Sequence, residues 1–405
     1  MMVKERDVLV IGAGPVGMTA ALALRSKGLN ATILEAEKEG RVRPGSRAIY
    51  IHKATLEFLE QISPGLGKKL ADIGIVWQVK RTFYKGEEVY KRIYEPPKPN
   101  TLPAFTSLHQ HEIEKAMYDA CNKAGVEFVW EEKVTNVKTS EEGVTVETEN
   151  GEWQTKYVIA CDGARSVVRN SVGIKFQGPR KSDAFVVVDV AEDEENPLPI
   201  ERVFHYQHPN VGGRNVLYVP FAGGWRIDLQ LFEEDDRDYY GSEEGVREWL
   251  PKVMDPKYAD RITWISTYTF YQVVAEKYTD DHHRVILAGE AAHLFAPFGA
   301  RGLNSGVPDA IVAAEGIKKA LEVEANEEER RKYIRQAAEE RHKAGLWNRE
   351  CSNRALEHIQ GTNEEIKLRR EIAAFLAPHI PSLGRWLDEG PFGPRTGHPE
   401  LTTKY

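Results

Sequence analysis

The sequence predicts an α/β protein: a parallel sheet carrying a β-meander, interleaved with a second, mostly antiparallel sheet and followed by a helical C-terminal region. Three observations predict it. Asp7 to Glu35 reads strand, glycine turn, helix, strand, the opening of a parallel sheet. Between Phe185 and Phe232 short apolar runs alternate with proline and glycine turns, as antiparallel strands do. From Glu327 onward charged residues pair at helical spacing, Glu327 with Arg331 among them.

Val8 to Ile11 is a β-branched apolar run suited to a strand buried on both faces. Gly12, Gly14 and Gly17 follow at G-x-G-x-x-G spacing: a tight turn, a close approach to a pyrophosphate, and close packing of helix on strand. The helix after them points its positive end and unpaired N–H groups at those phosphates. Glu35 closes a second strand, Ala31 to Leu34, where a carboxylate can accept both hydroxyls of a ribose. These residues predict a Rossmann-type dinucleotide-binding domain.

At 405 residues the chain should divide into about two domains. Residues 1–74, 106–180 and 283–345 are assigned to the dinucleotide-binding domain, 75–105 and 181–282 to the second sheet, and 346–405 to a helical segment. A formal net charge of -8 argues against nucleic acid as a partner. No apolar run is long enough to span a membrane, and the first strand leaves no room for a signal peptide, which points to the cytoplasm. Cys121, Cys161 and Cys351 stand far apart, and no metal site is indicated.

Arg41, Arg43 and Arg47 fall in a polar loop; besides a solvated turn, they offer a guanidinium fork that could contact a cofactor. A hairpin is expected around Lys85 and Gly86, and an amphipathic helix over Gln110 to Ala124. Val126–Trp130, Lys133–Thr139, Gly143–Glu149 and Trp153–Ala160 read as the strands of the meander. The last runs into Asp162 and Gly163, at a strand's carboxyl end where open α/β sheets bind ligands. In Trp225 to Leu231, Arg226, Asp228 and Gln230 alternate with apolar residues; they read as a solvent face, the alternative being a polar face covering a cavity. Ile262 to Val274 reads as one strand. Arg284 to Leu287 delivers a second glycine-rich stretch, Pro297 to Gly306, with Pro308 in the first turn of the next helix. The run Glu327 to Gln360 reads as a solvated strut, and the chain from Phe375 as broken by prolines and glycines.

In this order GAGPVG with Glu35, CDGARSVVR (Cys161–Arg169) and GEAAHLFAPFGARGLNSG (Gly289–Gly306) resemble the FAD-dependent aromatic hydroxylases, the class A flavoprotein monooxygenases, with the phenylpropionate hydroxylase branch nearest. SRA (Ser46–Ala48) and Gln110 extend the likeness. The resemblance implies that Gly12, Ala13, Gly14, Pro15, Val16, Gly17, Glu35 and Ala36 hold the ADP half of FAD, with Arg47, Gln110 and Val134 as further cofactor contacts. Asp162 and Gly163 would lie near the pyrophosphate and the path of the nicotinamide donor. Gly289 and Glu290 would face the ribityl chain, and Pro297, Gly302, Leu303 and Asn304 would border the isoalloxazine. Pro297 and Arg47 are the candidates nearest the chemistry. The family usually has Gly-Asp where this chain has Gly289-Glu290; one more methylene moves the carboxylate by roughly 1.5 Å.

The resemblance further implies that NADH or NADPH reduces FAD, that O2 adds to the reduced flavin, and that a C4a-hydroperoxide hydroxylates a phenolic or heteroaromatic substrate. Protein must then position the ring and exclude water. Tyr206, Tyr218, Arg226, Tyr271 and Phe298 are the candidate substrate residues, their other reading being core aromatics and an exposed arginine. His293 reads as a structural histidine beside the cofactor. An FAD-dependent oxidase or dehydrogenase, or a non-catalytic FAD-binding sensor, shares the same motifs. The protein is expected as a monomer or homodimer, and GPRTGHPEL resembles a linker that precedes a thioredoxin-like module in some relatives.

Overall fold

The computed structural model describes residues 4–361 and 363–389, so GPRTGHPEL lies outside the described residues. Its first sheet is wound to both sides of β1 (Lys4–Ile11). β2 (Thr32–Leu34) pairs parallel on one side and β10 (Gly151–Ala160) parallel on the other. β10 is long enough to serve two further neighbours. Its first half pairs antiparallel with β9 (Val144–Thr148), itself paired to β8 (Val134–Thr139), and its last three residues pair parallel with β18 (Val285–Leu287). The crevice beyond the carboxyl ends of β1 and β10 is therefore the switch point where such sheets take ligands.

One expectation changes here. Val126–Trp130 does contain a strand, β7 (Glu127–Val129), but it pairs parallel with β2 and is no part of the meander. Three residues are too few for periodicity to reveal direction; the helix before it, α4 (Gln110–Lys123), carries the chain across the sheet and sets it. α4 packs with α1 (Pro15–Ser26), α2 (Lys53–Ile62) and α3 (Leu66–Ile73) over one face of this sheet, while the meander and α5 (Val167–Ser171) close the other. β3 (Tyr50–His52) and β6 (Phe105–Ser107) form a small antiparallel pair beside it.

The second sheet runs β16 (Ile262–Tyr271), β12 (Arg180–Ala191), β15 (Gly224–Leu231), β14 (Arg214–Phe221), β13 (Glu201–His208), β4 (Val79–Tyr84), β5 (Glu87–Ile93). It is antiparallel except where β13 meets β4. Its outer face, with Val186, Val188, Ile227 and Leu229, packs on Val246 and Trp249 of α7 (Glu243–Trp249), which follows the short α6 (Arg237–Tyr240). Its inner face carries Phe185, Phe204, Leu217 and Phe270. The solvent-face expectation for β15 fails: Arg226, Asp228 and Gln230 are all buried on that inner face, and the 44–48 loop hydrogen-bonds across it.

Ile262–Val274 is two strands rather than one. β16 stops at Tyr271, and after the fully buried Gln272 the chain enters β17 (Val273–Ala275), which pairs with β11 (Phe176–Gln177) and β19 (His293–Leu294). The second glycine stretch leads into α8 (Arg301–Glu322), so Pro308 sits well inside the helix and not in its first turn. There its missing N–H leaves the Asn304 carbonyl without its helical donor. Positive φ at Gly299 and Ala300 turns the chain early, which is why the helix starts seven residues before the proline.

α9 (Glu327–Gln360) forms as one helix through position 345, but it is no solvated strut. Ile334, Ala337, Ala338, Arg341, Ala344, Asn348, Ser352, Ala355 and Leu356 form a buried stripe against α8 and the inner face. Arg341, Asn348 and Ser352 within that stripe hide its periodicity from the sequence. α10 (Glu364–Leu376) and α11 (Pro381–Glu389) then cover the far end, continuing past the break expected at Phe375. Among the described residues no helix is long and apolar enough to cross a membrane.

Candidate active site

The turn after β1 is held by contact between backbone groups. A Cβ at Gly17 would stand 1.9 Å from the Gly12 carbonyl oxygen, and one at Gly12, whose φ is +100°, would stand 2.5 Å from that of Cys161. Gly14 is different: a Cβ there meets nothing within 4 Å, so the side of the turn facing the crevice is open. Glu35 is buried at the end of β2, and its carboxylate accepts from the Ala13 N–H at 2.6 Å and from Glu37 N–H at 3.1 Å. Arg41 shields that carboxylate at 3.6 Å, donates to the Ala13 carbonyl, and reaches Glu114 of α4. Beside Ala36 an open cleft of about 680 Å³ is lined by Glu37, Lys38, Arg41, Glu131, Glu149 and Asn150.

At the end of β10, Asp162 accepts from the Ser166 hydroxyl at 2.6 Å and the Val168 N–H at 3.0 Å, shaping the loop that exposes Gly163. Burial raises its carboxyl pKa against those bonds. Arg169 is spent on the Ala164 and Ala291 carbonyls and stacks on Phe176, so it ties this loop to the turn after β18.

That turn, Gly289–Ala291, packs directly on the start of α1. Cβ atoms at Gly289 and Gly306 would both strike Val16, at 2.9 and 2.5 Å, so the starts of α1 and α8 lie side by side. Asp309 anchors the arrangement from beneath. It accepts from Gly289 N–H at 3.2 Å, lies 2.7 Å from His293 Nε2, and accepts from Arg341 Nε at 2.8 Å. Burial alone would raise this carboxyl; Arg341 and His293 hold it below the usual range. His293 is fully buried against that carboxylate. Glu290 is exposed on the turn.

From Pro297 the chain crosses Phe298 and two residues of positive φ to the start of α8. Asn304 is fully buried: its side chain accepts from His52 N–H and the Thr55 hydroxyl and donates to the Tyr50 and Ala300 carbonyls. With all four bonds used, the side chain fixes the helix start, and only its main chain can serve a ligand. Neither α1 nor α8 has a side-chain N-cap, which leaves first-turn N–H groups of both aimed into one crevice. A Cβ at Gly302 meets nothing within 4 Å.

The 44–48 loop joins the two sheets. Ser46 gives its N–H and hydroxyl to the two oxygens of Asp189, at 2.6 and 2.7 Å, and burial raises that carboxyl pKa. Arg226 donates to the Arg47 carbonyl, and Gln110 accepts from Ala48 N–H. Arg47 itself sits at φ +50°, a conformation seldom held without purpose at a non-glycine residue.

The candidate substrate residues scatter. Phe298 packs on Phe185 and Phe270 at the flank of the crevice. Tyr206 lies on the same inner face, its hydroxyl donating to the Leu387 carbonyl, whereas Tyr218 is on the outer face and donates to Val253. Tyr271 is 44% exposed at the end of β16. Arg226 is engaged by Asp228 and Arg47. Asp189 and Asp309 were missed by sequence reasoning and left no signal there; Arg41 was named within its basic cluster, and the structure brings it to Glu35.

Open space outside Gly14 and Gly302, closed contacts behind them and two uncapped helix starts make a cradle that fits a dinucleotide with a second electron-rich end. The chain belongs to the FAD binding domain family, whose model matches residues 5–345, and within it to the class A flavin-dependent aromatic hydroxylases. It is 27% identical over 409 residues to a 3-(3-hydroxy-phenyl)propionate/3-hydroxycinnamic acid hydroxylase of Mycolicibacterium smegmatis, covering 96% of this chain and 67% of that one. A para-nitrophenol 4-monooxygenase of a Pseudomonas species is 28% identical over 321 residues, 76% of this chain and 77% of that one. The solved structure of p-nitrophenol 4-monooxygenase from Pseudomonas putida DLL-E4 superposes with a TM-score of 0.77 at 25% identity, over 95% of this chain and 96% of that one. The chain thus spans about two thirds of the length of the propionate hydroxylase and nearly all of the solved monooxygenase. FAD is its cofactor.

Proposed function

We propose that the protein hydroxylates a phenolic or heteroaromatic small molecule, using NADH or NADPH and O2, in the cytoplasm. The observation that carries this reading is the place of the two uncapped helix starts, side by side at one crevice and flanked by the aromatic inner face of the second sheet. Flavin, when bound, supplies the redox and oxygen chemistry. The rest falls to the chain. N–H groups after Gly14 face the pyrophosphate, the Glu35 carboxylate takes the ribose hydroxyls, and Ala36 with Val134 borders the adenine end. Asp162 and Gly163 lie along the chain between the two ends, and the exposed Glu290 reaches the ribityl chain from the rim. Pro297, Gly302, Leu303 and the Asn304 main chain border the ring, where N–H groups of α8 favour negative charge. Arg47, at the junction of both sheets, has its main chain fixed by Arg226 and by the neighbouring Ser46–Asp189 pair, and its guanidinium would stand beside that ring.

Mixing FAD-loaded protein with NAD(P)H and a panel of phenols in air tests the reading. Substrate-stimulated NAD(P)H oxidation with one atom of oxygen-18 from O2 in the product is expected. Flavin bleached anaerobically by substrate alone would identify a dehydrogenase instead.

A further inference from the structure

The inner face of the second sheet carries a row of polar side chains among rings. On β15, Arg226, Asp228 and Gln230 lie opposite Asp189, Val187 and Phe185 of β12. The charges in this row close on one another. Asp228 takes both Nε and Nη2 of Arg226, the Nη1 of Arg226 goes to the Arg47 carbonyl, and Asp189 is filled by Ser46. Within the row two carboxylates face the single guanidinium of Arg226, while Arg47, on the covering loop, donates its Nε to the Pro44 carbonyl. Two other buried guanidiniums around the face are directed elsewhere: Arg370 donates to the His358 and Ile359 carbonyls at the end of α9, and Arg301 to Asn348.

Gln230 stands apart from that closed set. It is 7% exposed, and its amide has no hydrogen-bond partner among the described residues. Its neighbour across the strand pair, Phe185, lies 5.1 Å from the ring of Phe298 at the flavin-side loop. The amide keeps a little accessible surface, so its hydrogen bonds fall to whatever enters the crevice, water or a ligand. An amide both donates and accepts, and it carries no charge.

We propose that this face selects aromatic substrates whose ring substituent is polar but uncharged, such as a carboxamide or a nitro group, over arene carboxylates, and that Gln230 reads that substituent. The proposal rests on the reading of the crevice as a hydroxylase's substrate site. A carboxylate placed here would be stripped of water beside Asp228, with Arg226 already neutralised. A neutral substituent loses less solvation and satisfies Gln230.

The test is equilibrium binding to the FAD-loaded full chain, followed by the change in the visible flavin spectrum. The probes are 3- and 4-hydroxybenzamide against 3- and 4-hydroxybenzoate at neutral pH. At least one benzamide should bind about tenfold or more tightly than its benzoate. Gln230→Leu, close in volume and still carrying FAD, should weaken the benzamide about tenfold and leave the benzoate unmoved. Asp228→Asn, which releases part of Arg226, should narrow the gap by strengthening the benzoate. Benzoates bound as tightly as benzamides by the unaltered protein, an unchanged ratio in Gln230→Leu, or binding of neither class overturns the proposal. Ligands that bind in the expected order yet never stimulate NAD(P)H oxidation would uphold the selectivity and remove the hydroxylase reading instead.

Discussion

At the start of α1 the chain is held by its own backbone, whereas at the start of α8 it is held by side chains that arrive from distant elements. Gly12 and Gly17 fix the first turn because any larger residue would strike a carbonyl, that of Cys161 beyond the neighbouring strand or that of Gly12 five residues back. The second depends on Asn304 reaching β3 and α2, and on Asp309 bridging the turn after β18 to Arg341 of α9. A local steric demand is written in glycine spacing. A long-range clamp is not.

Substitution should separate the two. The largest effect is expected from Gly17→Ala, whose methyl would overlap the Gly12 carbonyl. We expect a loss of several kcal/mol in urea unfolding and protein purified without yellow colour. Gly302→Ala has open space, so it should fold with unchanged stability and show only weaker FAD binding by titration. If both variants unfold alike, the contrast is broken.

Asp309→Asn comes next. It leaves Arg341 buried without its carboxylate, at a cost of about 3–5 kcal/mol. The sign with pH follows from the depressed carboxyl: its contribution is present above the unfolded value near 4 and is lost as pH falls through the lower folded value. The unaltered protein should therefore gain stability through this carboxyl as pH rises towards about 4, and the variant should lack that gain. Equal acid limbs in urea titrations would refute the assignment. Asp162 works in the opposite sense, since burial raises it, so its contribution falls as pH rises through its folded value.

The smallest effect is expected at Arg47. Arg47→Gly removes the cost of positive φ and should stabilise the fold by up to about 1 kcal/mol, while slowing flavin reduction by NAD(P)H in stopped-flow traces. A variant that is both less stable and fully active would show that the conformation carries no function.

The same division explains what the sequence disclosed. β1, the glycine turn, β2 and Glu35 were legible because each obeys a local rule of strand, turn or cap. The buried polar row of β15 was not, since alternation alone does not say what covers a face, and the covering loop, 44–48, is more than 170 residues earlier in the chain. The stripe of α9 was obscured for a related reason: its buried arginine, asparagine and serine bond to Asp309, Arg301 and the Ala296 carbonyl, partners that periodicity cannot reveal.

α9 itself has one more implication. Its 34 residues make a rod about 51 Å long. Near one end Glu327 meets Arg284 beside the parallel sheet, and at the other the Ile359 carbonyl is bonded by Asn215 of the antiparallel one. A girder fastened at both ends leaves little freedom for the halves to part like jaws. Entry and exit of small molecules must then be managed by shifts of loops and cofactor inside a frame whose outer dimensions stay constant.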